Sequence, residues 1–197
     1  MIVLKPLTTA NFADYEKLTR HGDNGQNCYC SFWHQKWSSM DEYHQVQKND
    51  VERLKDSVRG KVQAGFHVGV IAYREEVPVA WISVGPLIDF FWAWRRVAQV
   101  GEAARTIAGI ICFTIAEEFR GQGLQHEVLA ELKKYAKARE WTAIEAYPFA
   151  DAAIEKHGAK LRWAGVCKGF EQAGFTKAGP HWLSQPEYER FIYLYPL

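Results

Sequence analysis

The sequence predicts an α/β fold built on a mixed β-sheet, and three observations carry that prediction. Residues 106–115 form an apolar, isoleucine-rich run with the profile of a strand buried on both faces. A glycine-containing turn and an amphipathic helix follow directly, and a second strand stands after that helix. Hairpin-like pairs of strands occur before and after this central unit, which gives alternating order in the middle and antiparallel neighbours at both ends.

The elements follow in order. Ile2, Val3 and Leu4 open with a short strand that ends at Pro6. Thr8 or Thr9 can cap a helix that runs to about Arg20, and His21-Gly22 stops it. Residues 23–31 read as loop. Val51, Leu54, Val58 and Val62 recur at helical spacing, and Gly65 ends that helix. Residues 66–74 and 77–84 read as two strands joined at Glu75-Glu76, and Gly85-Pro86 breaks the second. Residues 87–100 are aromatic-rich and leave a short helix or a loop open. After the strand at 106–115, Leu124, Val128, Leu132 and Tyr135 line one helical stripe, with Leu129 and Ala136 beside it. A strand at 142–147 stops at Pro148. Residues 149–162 carry no clear pattern. Residues 163–173 read as a helix ended by Gly174, and 175–178 and 189–195 as the last strands. There is no repeat, low-complexity tract or Pro/Ser linker, so residues 1–197 read as one domain.

Composition narrows the class. Apolar residues make up 48% and charged residues 24% of 197, which excludes wholesale disorder. Lys and Arg number 24 against 23 Asp and Glu, so no strong basic excess marks a nucleic-acid binder. The start, MIVLKPLTTANF, lacks the apolar core of a secretory signal, and the longest uncharged stretch is too short to span a bilayer. Cys28, Cys30, Cys112 and Cys167 do not form a secreted disulfide framework, so a reducing, cytoplasmic setting is expected. Eight tryptophans, five of them at positions 33, 37, 81, 92 and 94, point to a ligand cleft.

The segment with chemistry is Arg120-Gly121-Gln122-Gly123 between strand and helix. Glycines allow close backbone approach, and the first amides of a helix have no internal partner, so this is an anion cradle suited to phosphate. Arg120 adds positive charge at its mouth. No Lys follows as a P-loop requires, and His126 stands where a dinucleotide fingerprint needs its third glycine.

Arg120-Gly121-Gln122-Gly123-Leu124-Gln125 resembles motif A of the GNAT (Gcn5-related) N-acetyltransferases. Phe170-Glu171-Gln172-Ala173-Gly174-Phe175 is similar to that family's C-terminal Tyr-Glu-Lys-x-Gly-Phe. Cys28-Tyr29-Cys30-Ser31-Phe32-Trp33, the run at residues 77–86 and Tyr147-Pro148 resemble a bacterial branch with Cys-x-Cys-x-x-Trp near its start. The resemblance implies a GNAT-like mixed, splayed β-sheet flanked by helices, with acetyl-CoA as co-substrate and no metal. It implies that the strand backbone at Phe113, Thr114 and Ile115 pairs with the pantetheine arm. The amides of Gly121, Gln122, Gly123, Leu124 and Gln125 would hold the pyrophosphate. The expected acceptor is a small-molecule or peptide amine, with no nucleic-acid or membrane partner.

The chain departs from the family pattern in three places. Gln125 replaces the usual Gly or Ala. Phe170 replaces a Tyr that donates a proton to the leaving thiolate, which Phe cannot do. The strand at 106–115 holds no acid to act as base. Glu145 and Tyr147, two apart on a strand, share a face; beside the cleft they would serve as base and proton donor, and the alternative is a solvated Glu and a packed Tyr. Cys28, Cys30, Trp33 and Trp92 are expected on the acceptor side. Two other readings stand: a non-catalytic acyl-CoA-binding or sensor domain, and a zinc protein using Cys28, Cys30 and His34. The apolar tail from Phe191 reads as a buried strand or a homodimer contact.

Overall fold

A computed structural model describes residues 1–20 and 27–197. One seven-stranded sheet takes strands from both ends of the chain. They are β1 (Ile2–Pro6), β2 (Val70–Arg74), β3 (Val77–Pro86), β4 (Ile107–Ile115), β5 (Ala143–Ala146), β6 (Thr176–Pro180) and β7 (Phe191–Pro196), in the order β1-β2-β3-β4-β5-β7-β6. Only β4 and β5 pair in parallel; every other neighbour is antiparallel.

The hairpin between β2 and β3 turns on Glu75 and Glu76, both with positive φ (51° and 61°). That is the twist a two-residue hairpin needs, made here by two residues that rarely adopt it. Strand β2 starts at Val70, later than the expected residue 66, and Gly69 precedes it with φ 152°. The stop expected at His21-Gly22, and the first part of the loop after it, lie outside the described residues.

Among the described residues eight α-helices flank the sheet: α1 (Phe12–Thr19), α2 (Ser31–His34), α3 (Met40–Asn49), α4 (Val51–Gln63), α5 (Trp94–Val100), α6 (Leu124–Ala138), α7 (Asp151–His157) and α8 (Cys167–Gln172). Helix α3 has no counterpart in the periodicity reading, because only Tyr43 and Val46 of its ten residues are buried. Its start is local chemistry. The Ser39 hydroxyl accepts from the Glu42 amide, and the Glu42 carboxylate accepts from the Ser38 amide and hydroxyl. The Glu42 pKa is lowered by those Ser38 bonds first, with Arg53 adding to them. Residues 163–173 do not form one helix. A 3-10 segment (Ala159–Ala164) ends at Gly165, whose φ of 77° breaks the run before α8.

Two packed layers result. Leu124, Val128, Leu129, Leu132 and Ala136 of α6 pack on one face with Ala108, Ile110 and Phe113 of β4. The opposite face buries Tyr15, Tyr29, Trp33, Trp81, Ile111 and Cys112. Ile111 and Cys112 are successive yet share that face. The cause is a bulge: Cys112 pairs Ser83 and Ile110 pairs Val84, which leaves Ile111 without an opposite residue on β3. The tail is a strand, with β7 lying between β5 and β6.

Candidate active site

The sheet parts at its centre. Strand β5 pairs β4 only through Ile107–Ile110, so residues 111–115 of β4 have no β5 partner. A cavity of about 170 Å³ opens there, lined by Phe113, Ile115, Arg120, Gly121, Gln125, Arg162, Gly165 and Val166. Strand backbone without a β5 partner stands on one side of it and the start of α6 on the other.

The turn at its mouth has the conformation its glycines permit. Gly121 and Gly123 sit at φ 72° and 75°, and the space outside each is open. Gly123 caps α6 and, having no side chain, makes no cap hydrogen bond to the helix amides. Arg120 donates from Nε to the Ile115 carbonyl at 2.9 Å, which fastens the turn to the end of β4. Gln122 donates to the Glu118 carbonyl at 2.9 Å, and the Leu124 side chain is buried in the core, so both contribute backbone only. Thr114 turns to the other face, where its hydroxyl meets the Cys112 thiol at 3.4 Å.

Gln125 answers a question the sequence left open. Its side chain lies against Gly165 and Gly169, so close that a methyl group on Gly169 would collide with it. Its Nε2 is buried without a hydrogen-bond partner. An orphaned amide donor in this slot fits a ligand with oxygens along its length, and the uncapped helix start beside it fits a phosphate. An acyl-CoA meets both requirements. Phe170 is fully buried and packs edge-on against Phe175. A proton donor at that position would face the core.

A second cavity, of about 250 Å³, lies on the opposite face of β4. Cys112 forms part of it, while its neighbour Phe113 lines the first cavity; Trp163 and Arg162 divide in the same way. Cys28, Cys30 and Trp33 also line it, with Phe32, Tyr43 and Arg190. Trp92 does not reach it. Its ring stacks on Phe32 at 5.2 Å with 4° between planes, and its indole N–H donates to the Gln35 carbonyl.

The cysteine loop is held in an unfavourable backbone. Asn27, Tyr29 and Cys30 all have φ between 48° and 63°. The Tyr15 hydroxyl donates to the Tyr29 carbonyl, Tyr43 to the Cys28 carbonyl, and the Trp81 indole to the Cys30 sulfur. Contacts to the Cys112 and Cys28 thiols, then burial, push the Cys30 thiol well up. His34 turns away toward Ser83 and Phe90, and burial pushes it down to about 3. Among the described residues no three His, Cys, Asp or Glu side chains are grouped to hold a metal ion, so Cys28, Cys30 and His34 do not assemble as zinc ligands.

Glu145 and Tyr147 share a face, and that face is closed. Glu145 is fully buried; Arg96 Nε donates to both carboxylate oxygens at 3.1 Å, and Nη2 grips one of them. Tyr147 donates its hydroxyl to Glu145 at 3.0 Å, and burial first, then Glu145, raises its pKa well above the usual tyrosine value. Neither lines either cavity. The geometry corrects the base and proton-donor expectation: this pair ties β5 to α5. The solvated-Glu alternative fails as well.

Sequence reasoning missed Trp163, Arg162, Gly165 and Arg190. Gly165 was visible as a helix breaker, but nothing local marks Arg190 as buried.

The site is thus a sheet parted beside a helix start, with a second cavity behind the parting strand. The family model described as Acetyltransferase (GNAT) family matches residues 29–159, and the chain belongs to that family. No functionally curated protein matches the sequence. Solved structures share the fold at low identity. One is the aminoglycoside acetyltransferase AAC(6')-Ib in complex with ribostamycin and coenzyme A: TM-score 0.60, 13% identity, covering 99% of this chain and 93% of that one. Another is a ribosomal-protein-alanine N-acetyltransferase from Brucella melitensis: TM-score 0.56, 18% identity, 99% of each chain. A third is the PaiA N-acetyltransferase from Thermoplasma acidophilum with coenzyme A: TM-score 0.56, 10% identity, 100% of this chain and 99% of that one.

Proposed function

We propose that the protein is an N-acetyltransferase that moves an acetyl group from acetyl-CoA to an amine by direct attack. The observation that carries the reading is the slot between β4 and α6, with its uncapped glycine turn and the unpartnered Gln125 amide. Residues 113–115 would pair with the pantetheine arm, and the amides of residues 121–125 would hold the pyrophosphate. Acetyl-CoA supplies an activated thioester. The acceptor nitrogen forms a bond to the acyl carbon, the carbon–sulfur bond breaks with its electron pair going to sulfur, and CoA leaves as the thiol, its sulfur gaining the proton that the nitrogen gives up. The chain's contribution is to place the two reactants on either side of β4 and to keep bulk water from the thioester. The reading covers residues 1–197 as one domain, because strands from both ends share the sheet. The cysteine spacing, which fits no secreted disulfide framework, supports a cytoplasmic setting.

The test is thermal unfolding with and without acetyl-CoA, on the wild type and on Gly123→Trp, joined to an assay of CoA release with an amine panel. At a hundredfold excess over Kd, linkage gives about 2.7 kcal/mol. For this chain length that is a rise of roughly 5–10 °C. The added ring has open space, and the positive φ of Gly123 costs any side chain only about 1–2 kcal/mol, so the variant should fold with a lower starting Tm and lose the rise. No rise in the wild type, or a full rise in the variant, refutes the cradle. A rise without CoA release from any amine would favour the non-catalytic acyl-CoA-binding reading, which Phe170 also supports.

A further inference from the structure

The cavity behind β4 carries a chemical signature. Its described walls include the aromatic rings of Phe32, Trp33, Tyr43 and Trp163, the thiols, the polar side chains of His44 and Gln47, and one permanent charge, Arg190. No carboxylate is among the described lining residues. A site for a polycationic amine would need acids; a bare guanidinium in low dielectric repels such a ligand.

Arg190 is only 4% exposed, yet no carboxylate pairs with it among the described residues. Its Nε and Nη2 donate to the Tyr147 carbonyl at 3.2 and 2.8 Å. No hydrogen bond from Nη1 to a described residue accompanies them. Three rings surround the group: Phe149 at 4.5 Å, Trp163 at 5.1 Å and Trp33 at 5.8 Å from Cζ. Burial pushes its pKa down to about 9, which still leaves it charged at neutral pH. The backbone is pinned too: the Arg190 amide donates to Ser184 Oγ, and its carbonyl accepts from His181. Burying an un-neutralised cation is costly, and proteins retain such groups where an anion completes them. Guanidinium geometry matches a carboxylate or a phosphate, and of the two the carboxylate is the smaller group for a cavity of about 250 Å³.

We infer that Arg190 binds the carboxylate of the acceptor, so that the acceptor is a small amine carrying a carboxylate and an apolar or aromatic body. Free amino acids have this chemistry. The inference rests on the acyl-transfer reading for the word acceptor; the carboxylate site itself does not. Size agrees with it. At about 250 Å³ the cavity falls below the roughly 300–1,000 Å³ of pockets for drug-sized ligands. Position agrees as well, because Cys112 puts the cavity directly across β4 from the proposed pantetheine slot.

The test needs no variant. Tryptophan fluorescence, with Trp33 and Trp163 in the cavity wall, is titrated with phenylalanine, leucine, methionine and tryptophan, and with the matched decarboxylated amines and primary amides. At least one carboxylate should saturate the signal, with its neutral counterparts roughly ten- to hundredfold weaker, the range of a charge-assisted hydrogen bond. Arg190→Met should remove the difference, and its acetyl-CoA thermal shift reports whether the variant is folded. Equal or tighter binding of the decarboxylated amines, or saturation by none of the carboxylates, overturns the inference. CoA release is read in parallel. Acetylation of decarboxylated amines at equal efficiency keeps the acyl-transfer reading and refutes the carboxylate site. Saturable carboxylate binding without CoA release from any amine keeps the site and refutes the transfer.

Discussion

Replacing Glu145 separates a structural carboxylate from a catalytic one. The Glu145 side chain is 0% exposed and that of Arg96 is 19% exposed. Removing one partner of a buried ion pair costs about 3–5 kcal/mol, because the other charge is left behind. Arg96 sits near enough to the surface to turn its guanidinium toward water, so Glu145→Ala belongs at the low end, about 3 kcal/mol. Tyr147 also loses its acceptor, which stops the figure from falling further. At about 2–4 °C per kcal/mol for a chain of this length, Tm should drop by roughly 6–12 °C. The double replacement Arg96→Met, Glu145→Leu removes both charges and should return to within about 1 kcal/mol of the wild type. Urea unfolding followed by tryptophan fluorescence measures the stability, and initial rates of CoA release measure the chemistry. The folded fraction of Glu145→Ala should keep its rate within a few-fold. Stability within about 0.5 kcal/mol of the wild type, with turnover down by two orders of magnitude, would refute the structural role.

Two further predictions concern buried titratable groups. His34 and His181 are buried and held neutral, pushed down to about 3 and about 2 chiefly by burial, with Lys61 and Arg190 adding to it respectively. The unfolded chain binds these protons near pH 6.5 and the folded chain does not. Their contribution is therefore complete above about pH 6.5 and is lost as pH falls toward the folded values. Between pH 7 and 5 each should cost roughly 2 kcal/mol, measured by urea midpoints across that range; a flat profile would contradict the burial. The Cys30 thiol, raised by the neighbouring Cys112 and Cys28 thiols, and the Cys167 thiol, raised by burial, should alkylate slowly with iodoacetamide in the native protein at neutral pH. All four cysteines should react in urea, counted by intact mass, and rapid native labelling of Cys30 would mean that its loop opens readily.

Elements whose cause is local were legible in the sequence. The stripe from Leu124 to Ala136 makes α6, because burial at helical spacing needs no knowledge of the partner. The glycine turn before it was legible for the same reason: two glycines in a short link between a strand and an amphipathic helix admit few alternatives to left-handed turn positions. Helix α3 was not legible, since its signal is a Ser39 cap and two buried side chains. The tertiary structure alone decided which charged groups carry chemistry. Glu145 shows an open carboxylate in the sequence, and its partner Arg96 lies 49 residues away. Arg190 reads as one more surface arginine until residues near 30, 112 and 163 close around it. Periodicity records which face of an element is buried. The solvation of a charge depends on whatever the rest of the chain brings to it, and that is settled only when distant segments pack.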